Sequence, residues 1–269
     1  VKTIAITGAT GYFGKYLLQK LLSLKKYNLY IILDDITKDI NIPKVDAVIH
    51  LAAKKPSSTV HSSELYETNH EATKKLASNC DENTHFVFLS SDYVFKSNRG
   101  KIYLENDNKF PETVYGKSKS KSEDFLLENI KKTTILRTSM LYGYINPQRK
   151  NFIQFLLENI SNNVKIDVYN NIFCRPTHVD DLSEFIIYAI EKEIYGIVHA
   201  CSETYINRHD LASLFCDVNG LDKEYLVPCE SPKSGYWPKY LNLSPSEVFL
   251  KNTKISLRNG LILRQRGRE

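Results

Sequence analysis

The 269-residue chain predicts a doubly wound α/β domain with a parallel sheet, joined to a smaller, less regular C-terminal lobe. Two features carry that reading. Continuous apolar runs alternate with amphipathic stretches, the pattern of parallel strands covered by helices on both faces. A glycine-rich turn, TGATGYFG, joins the first run to the first amphipathic stretch. In order, TIAIT (3–7) is a buried strand, and GKYLLQKLLSL (14–24) places its leucines at helical spacing. LYIILD (29–34) and DAVIHLAA (46–53) are strands, and 62–80 is helical. HFVFLSS (85–91), a helix over 116–130 and TTILRTS (133–139) continue the alternation.

After about residue 143 the pattern loosens. Residues 151–160 are a helix, 165–192 run from strand through loop to helix, and GIVHACS (196–202) is a further strand. Pro228, Pro232, Pro238 and Pro245 then crowd an irregular end. The expected division is a dinucleotide-binding domain over 1–143, completed by about 176–200. A substrate-binding lobe over 144–175 and 201–269 packs against the sheet edge.

Composition narrows the function. Five cysteines, Cys80, Cys174, Cys201, Cys216 and Cys229, are odd in number and form no C-x-x-C pair. That argues against a disulfide framework and a zinc site, and fits reduced thiols in a cytoplasm. No metal-ligand spacing is found among the histidines. The net charge of +5 is scattered, and the densest lysine cluster, YGKSKSKSED (115–124), ends in acids. It is not a nucleic-acid stripe. No apolar run reaches the roughly 18 residues of a membrane span. The opening VKTIAIT is already a strand pattern, without the features of a signal peptide.

Three groups of residues point to chemistry. Gly8, Gly11 and Gly14 lie between a strand and a helix, where the backbone can approach a pyrophosphate and the helix start faces it. A bare glycine triplet also serves ordinary turns; its position at the first strand–helix junction favours the nucleotide. Asp34 closes the second strand, where a carboxylate accepts from a ribose 2′-hydroxyl and repels a 2′-phosphate. NAD is therefore favoured over NADP. Tyr115 and Lys119 are four apart on a helix start and share a face. A phenol has a pKa near 10, and a neighbouring ammonium lowers it toward a working pH. Ser91, at a strand end 24 positions before Tyr115, supplies a hydroxyl to orient a carbonyl, with Asp92 and Tyr93 lining the same pocket.

In these motifs the sequence resembles the extended short-chain dehydrogenase/reductases, a Rossmann-type superfamily, and within them the dTDP-4-dehydrorhamnose reductases. TGATGYFG is similar to the cofactor loop, DAVIHLAA to the fourth strand and YGKSK to the catalytic helix. SSDYVF is similar to the reductases' S-T-D-Y-V-F, with Ser91 in place of threonine. LRTSMLYG, the NF at 151–152, RPTHVDDL, GIVHACSETYINRHDLA and WPKYLNLSPS extend the likeness over most of the chain. The resemblance implies Ser91, Tyr115 and Lys119 as catalytic residues. It implies cofactor contacts at Gly8, Gly11, Tyr12, Phe13, Gly14, Asp34, Ala52 and Ala53, with Asp39 and Ile40 flanking the adenine. The substrate pocket is expected at Asp92, Tyr93, Asn151, Arg175 and Trp237. Trp237 stands where the reductases usually carry arginine, and Arg175 is the candidate to replace that charge. The final RNGLILRQRGRE is shorter than the family's last helix.

The expected activity is NAD(P)H-dependent reduction of a 4-keto-6-deoxy nucleotide sugar, in a cytoplasmic protein with no nucleic-acid or membrane partner. A homodimer is left open. Nucleotide-sugar 4,6-dehydratases need a T-D-E trio, and Tyr93 takes the place of its glutamate. A 4-epimerase remains an alternative, as does a non-catalytic regulatory subunit such as that of methionine adenosyltransferase.

Overall fold

A computed structural model describes residues 1–38, 40, 42–55, 61–143, 146, 148–232 and 237–263. Six parallel strands form the central sheet: β1 (Thr3–Thr7), β2 (Asn28–Ile32), β3 (Ala47–His50), β4 (His85–Ser91), β5 (Thr133–Thr138) and, after four short strands described below, β10 (Gly196–His199). Their order is β10-β5-β4-β3-β1-β2. The order reverses beside β1, so the carboxyl ends of β1 and β3 frame a crevice of the kind in which such sheets bind ligands.

Both faces are covered. On one, Phe13, Leu17 and Leu21 of α1 (Tyr12–Leu24) pack with Leu182, Phe185 and Ile186 of α6 (Val179–Lys192) over Ile4, Ile6 and Ile49. On the other, Leu76 of α3 (Ala72–Ser78) and Leu126 of α4 (Val114–Asn129) cover Val48, Phe86, Phe88 and Ile135. Continuous apolar strands are the consequence of this two-sided burial.

The helical stretch expected over 62–80 is interrupted. A short α2 (Ser62–Tyr66) passes into a π-turn, Glu67–Glu71, before α3 begins. The wider turn carries the buried Asn69 inward, where its amide donates to the Lys54 carbonyl and its side-chain oxygen accepts from the Lys54 amide.

The second lobe has its own core. It contains α5 (Phe152–Ser161), α7 (Arg208–Asn219) and α9 (Leu257–Gly260), packed with β7 (Ile166–Tyr169) and β12 (Leu226–Cys229). Short pairs, β6 (Leu141–Tyr142) with β9 (Thr177–His178) and β8 (Phe173–Cys174) with β11 (Ile206–Asn207), complete it. The short α8 (Glu247–Leu250) instead sends Phe249 into the main core. Among the described residues no helix is long and apolar enough to cross a membrane.

Candidate active site

The first strand ends in a turn that only glycine permits. Gly8 has φ +70°, and a Cβ there would lie 2.6 Å from the Ala52 amide nitrogen. A Cβ on Gly14 would lie 2.1 Å from the Gly8 carbonyl oxygen. The backbone of the turn is thus pressed against both β3 and the first turn of α1. That helix begins at Tyr12, two residues before the sequence pattern indicates, with Gly11 as its cap and no acid in its first turn. Uncapped amides and an open approach suit an anionic pyrophosphate. Phe13 turns into the core, leaving only its backbone to face a ligand.

At the next strand end the sequence reading needs adjustment. β2 stops at Ile32, and Asp34 lies two residues beyond it, exposed in a bend. β2 is an edge strand, and past Ile32 the register with β1 has run out. Asp35 is used locally, accepting from the Thr37 amide at 3.0 Å and its hydroxyl at 2.8 Å. Both carboxylates are exposed, and Asp35 is the one committed to a local turn. Ile40 is buried with Ile36, Ile42 and Val45 rather than presented at the surface. Asp39 lies outside the described residues. Ala52 and Ala53 follow β3, the Ala52 amide donating to the Thr7 hydroxyl at 3.2 Å.

A buried polar chain leads from this point to α4. Thr7 donates to His50 Nδ1 at 2.7 Å, and His50 Nε2 donates to Thr73 Oγ1 at 2.8 Å. Thr73 donates to the Asn69 carbonyl at 2.9 Å. Burial pulls His50 down to about 3, so its ring is neutral, and the direction of the chain is set by Thr73, whose single hydroxyl proton goes to the Asn69 carbonyl. Asn69 also meets the Ser118 hydroxyl, which donates to the Tyr115 carbonyl.

Tyr115 and Lys119 are held by packing that only part of the motif reveals. Thr113 caps α4 by accepting from the Gly116 amide at 3.0 Å. A Cβ on Gly116 would come within 2.1 Å of the Tyr93 carbonyl oxygen, so glycine lets the helix start close on the turn after β4. Tyr115 then comes beside Ser91 and meets Tyr93 edge to face, with ring centres 5.7 Å apart. Ser91 donates to Asp92 at 3.0 Å and accepts from the Tyr93 amide at 3.2 Å. Burial, with the charge of Asp92, pushes the Tyr115 phenol well above its ordinary range, and the Ser91 hydroxyl works the other way. Burial likewise lifts Asp92 to about 6, opposed by hydrogen bonds from Ser139 and Ser91 and by the charge of Arg208.

Lys119 is 2 % exposed. Its ammonium donates to the Leu89 carbonyl at 2.8 Å and lies 4.4 Å from the Phe88 ring centre. The Leu89 carbonyl is beyond the last β3–β4 pair, His50 with Phe88. Burial draws Lys119 down to about 7, aided by Lys55 and opposed by Glu123.

Beneath Ser91, the adjacent Ser90 donates to Glu123, one helical turn beyond Lys119. Glu123 is fully buried against Arg137, with Nη2 to Oε2 at 2.8 Å, and also accepts from Lys109. Arg137 donates to the Glu105 carbonyl at 3.0 Å and contacts His199 Nε2 at 3.3 Å. The His199 amide donates to Ser246, whose hydroxyl donates to Glu105. The two serines thus face different partners, Ser90 the scaffold and Ser91 the pocket.

Asn151 caps α5 and donates to the Tyr12 hydroxyl at 2.6 Å, linking the second lobe to the glycine loop. Arg175 donates to Asn242 at 2.7 Å and to the Ser202 and Glu203 carbonyls, so much of its guanidinium is taken up within the lobe. Trp237 is 42 % exposed and faces Arg208, whose guanidinium carbon lies 5.8 Å from its ring centre.

Family comparison agrees with the architecture. A family model described as the RmlD substrate-binding domain matches residues 2–264. The chain belongs to that family. It is 29 % identical over 232 residues to a dTDP-4-dehydrorhamnose reductase of Aggregatibacter actinomycetemcomitans, covering 80 % of this chain and 78 % of that one. A crystal structure of dTDP-4-dehydrorhamnose reductase from Bacillus anthracis in complex with NADP superposes with TM-score 0.83 at 26 % identity, covering 97 % of each chain. A second reductase structure, from Clostridium acetobutylicum, gives 0.79 at 27 % identity over 93 % of this chain and 92 % of that one. The fold of this family member is the extended short-chain dehydrogenase/reductase type.

Sequence reasoning missed Asn69, Gly116, the Glu123–Arg137 pair and Arg208. One signal for Arg208 was readable: it opens α7, where the helix dipole disfavours a cation, so helix stability does not explain it.

Proposed function

We propose that the protein is an NAD(P)H-dependent oxidoreductase that reduces the keto group of a 4-keto-6-deoxy nucleotide sugar in deoxysugar precursor synthesis. The observation that supports this reading is the gathering of Ser91 at the end of β4 with Tyr115 and the buried Lys119 on the first turns of α4, Lys119 fixed on the Leu89 carbonyl of the same strand. Glycine at 8 and 14 lets the turn pack on Ala52 and on its own Gly8 carbonyl, and the start of α1 that follows has no side-chain cap, which suits a pyrophosphate. When bound, the nicotinamide supplies the hydride. Tyr115 keeps its proton at neutral pH, because burial and the Asp92 charge both disfavour phenolate, and it gives that proton to the carbonyl oxygen. Ser91, beside Tyr115 and bonded to Asp92, orients the same oxygen. Lys119, fixed on the Leu89 carbonyl and drawn down to about 7, carries a positive charge that responds to small changes nearby.

Tyr93 occupies the position of the dehydratases' glutamate, which supports reduction over elimination. A 4-epimerase returns its cofactor unchanged, whereas the reductase consumes reduced cofactor stoichiometrically. The exposed Asp34 supports a preference for NADH, with Asp35 committed to its own turn. Comparison of kcat/KM for NADH and NADPH tests it, and a clear NADPH preference would refute that role.

The experiment for the reaction is single-turnover oxidation of reduced cofactor with a dTDP-4-keto-6-deoxy sugar. Tyr115→Phe should slow it by about 10²–10⁴-fold, with cofactor affinity little changed. Near-normal turnover in that variant would remove the mechanism.

A further inference from the structure

Arg208 has a guanidinium for which no described residue offers a hydrogen bond or ion pair. Its guanidinium carbon lies 5.2 Å from the Phe152 ring centre and 5.8 Å from that of Trp237. Aromatic contact occupies the faces of a guanidinium and leaves its in-plane N–H donors available. Phe152 follows Asn151, which holds Tyr12 of the glycine loop, so the arginine lies where the second lobe meets the cofactor crevice. Its charge is felt at Asp92 and Tyr93, the residues that follow Ser91.

Two other positions leave the role open. Position 237 holds tryptophan where the reductases usually carry arginine, and Arg175 is bonded to Asn242 and two backbone carbonyls. We infer that Arg208 grips the diphosphate of the nucleotide-sugar substrate, in place of an arginine at position 237. The inference rests on the nucleotide-sugar reading. A planar fork with five donors suits adjacent phosphate oxygens, and the flanking rings hold it in place without consuming those donors.

The test is calorimetric titration of dTDP and UDP, with thymidine and uridine as uncharged controls. The wild type should bind the better diphosphate far more tightly than its nucleoside. Arg208→Gln should lose about 10–100-fold in diphosphate affinity with nucleoside affinity unchanged, the loss expected of a charge-assisted bond. Arg208→Lys keeps the charge but not the fork and should fall between, which retains the test if the glutamine variant does not fold. Arg208→Gln combined with Trp237→Arg should recover about tenfold, because the charge returns across a single ring contact. Diphosphate affinity within about threefold of wild type in Arg208→Gln would overturn the inference, as would a wild type that does not distinguish diphosphate from nucleoside. A wild type that binds diphosphate through Arg208 yet oxidises no reduced cofactor would instead refute the reductase reading and leave this one standing.

Discussion

Asp92→Asn should make the protein more stable and less active, with the stability gain confined to higher pH. The carboxyl is 5 % exposed, and its pKa is lifted from 3.8 to about 6. Because the folded value exceeds the unfolded one, the folded state binds the proton more tightly. Stability therefore falls as pH rises from about 4 to about 6, and the full cost is present above about 6. The difference corresponds to a ceiling of about 3 kcal/mol. Asparagine never ionises and so escapes that cost, while weakening the bond donated by Ser91, worth about 1 kcal/mol. A net gain of about 1–2 kcal/mol is expected near pH 7.5, or a Tm higher by roughly 3–6 °C. Near pH 4 both side chains are neutral and the gain should vanish. Thermal or urea unfolding at the two pH values measures it. An equal gain at both, or a loss near pH 7.5, would show that the buried charge is not the cause. Turnover should fall in the same variant, since the charged acceptor beside Ser91 is gone.

Lys119→Met should also stabilise the cofactor-free protein below about pH 7, where an ammonium drawn down by burial is charged at a cost, while abolishing most turnover; unfolding at about pH 6 compared with about pH 10 checks the sign. Glu123→Leu leaves Arg137 buried without its carboxylate and should destabilise by about 3–5 kcal/mol, which denaturant titration reads directly. Gly116→Ala forces a Cβ against the Tyr93 carbonyl, so kcat should drop more than cofactor affinity, and unchanged steady-state kinetics would contradict the packing. Tyr93→Glu should impair reduction by adding a charge beside Asp92 without producing dehydratase activity, as judged by product analysis.

Legibility in the sequence followed the range of the interactions. The strands, the glycine turn and the Tyr115–Lys119 spacing depend on neighbours within a few residues, and their patterns could be read directly. Asp34 was located by its chain position although β2 stops short of it, because an edge strand ends where its single partner does. Asn69 and Arg208 were not read, because their significance arises from partners far along the chain. Asn69 meets Ser118 across 49 residues, and Arg208 meets Phe152 and Trp237 from separate segments. In the sequence Glu123 is one of the acids that close the lysine cluster at 115–124, yet it is buried on Arg137. Periodicity assigns faces, but it does not identify what each face will meet.

The scaffold beneath Ser91 also bears on the order in which the chain can fold. Glu123 and Arg137 lie 14 residues apart, but the cluster closes only when His199 and Ser246 arrive, the latter contacting Glu105 across 141 residues. During synthesis α4 and the partners of its buried Glu123, namely Ser90, Lys109 and Arg137, all precede residue 196, whereas the contacts of Arg137 with His199 and of Glu105 with Ser246 wait for the C-terminal third. Closure of the outer half of this cluster, around Glu105 and Arg137, is thus a late event that needs the C-terminal third, with the high sequence separation that slows folding. A chain stopped before Gly196 should show the segment around Glu105 cleaved more readily by protease than in the full chain; equal protection would place that closure earlier.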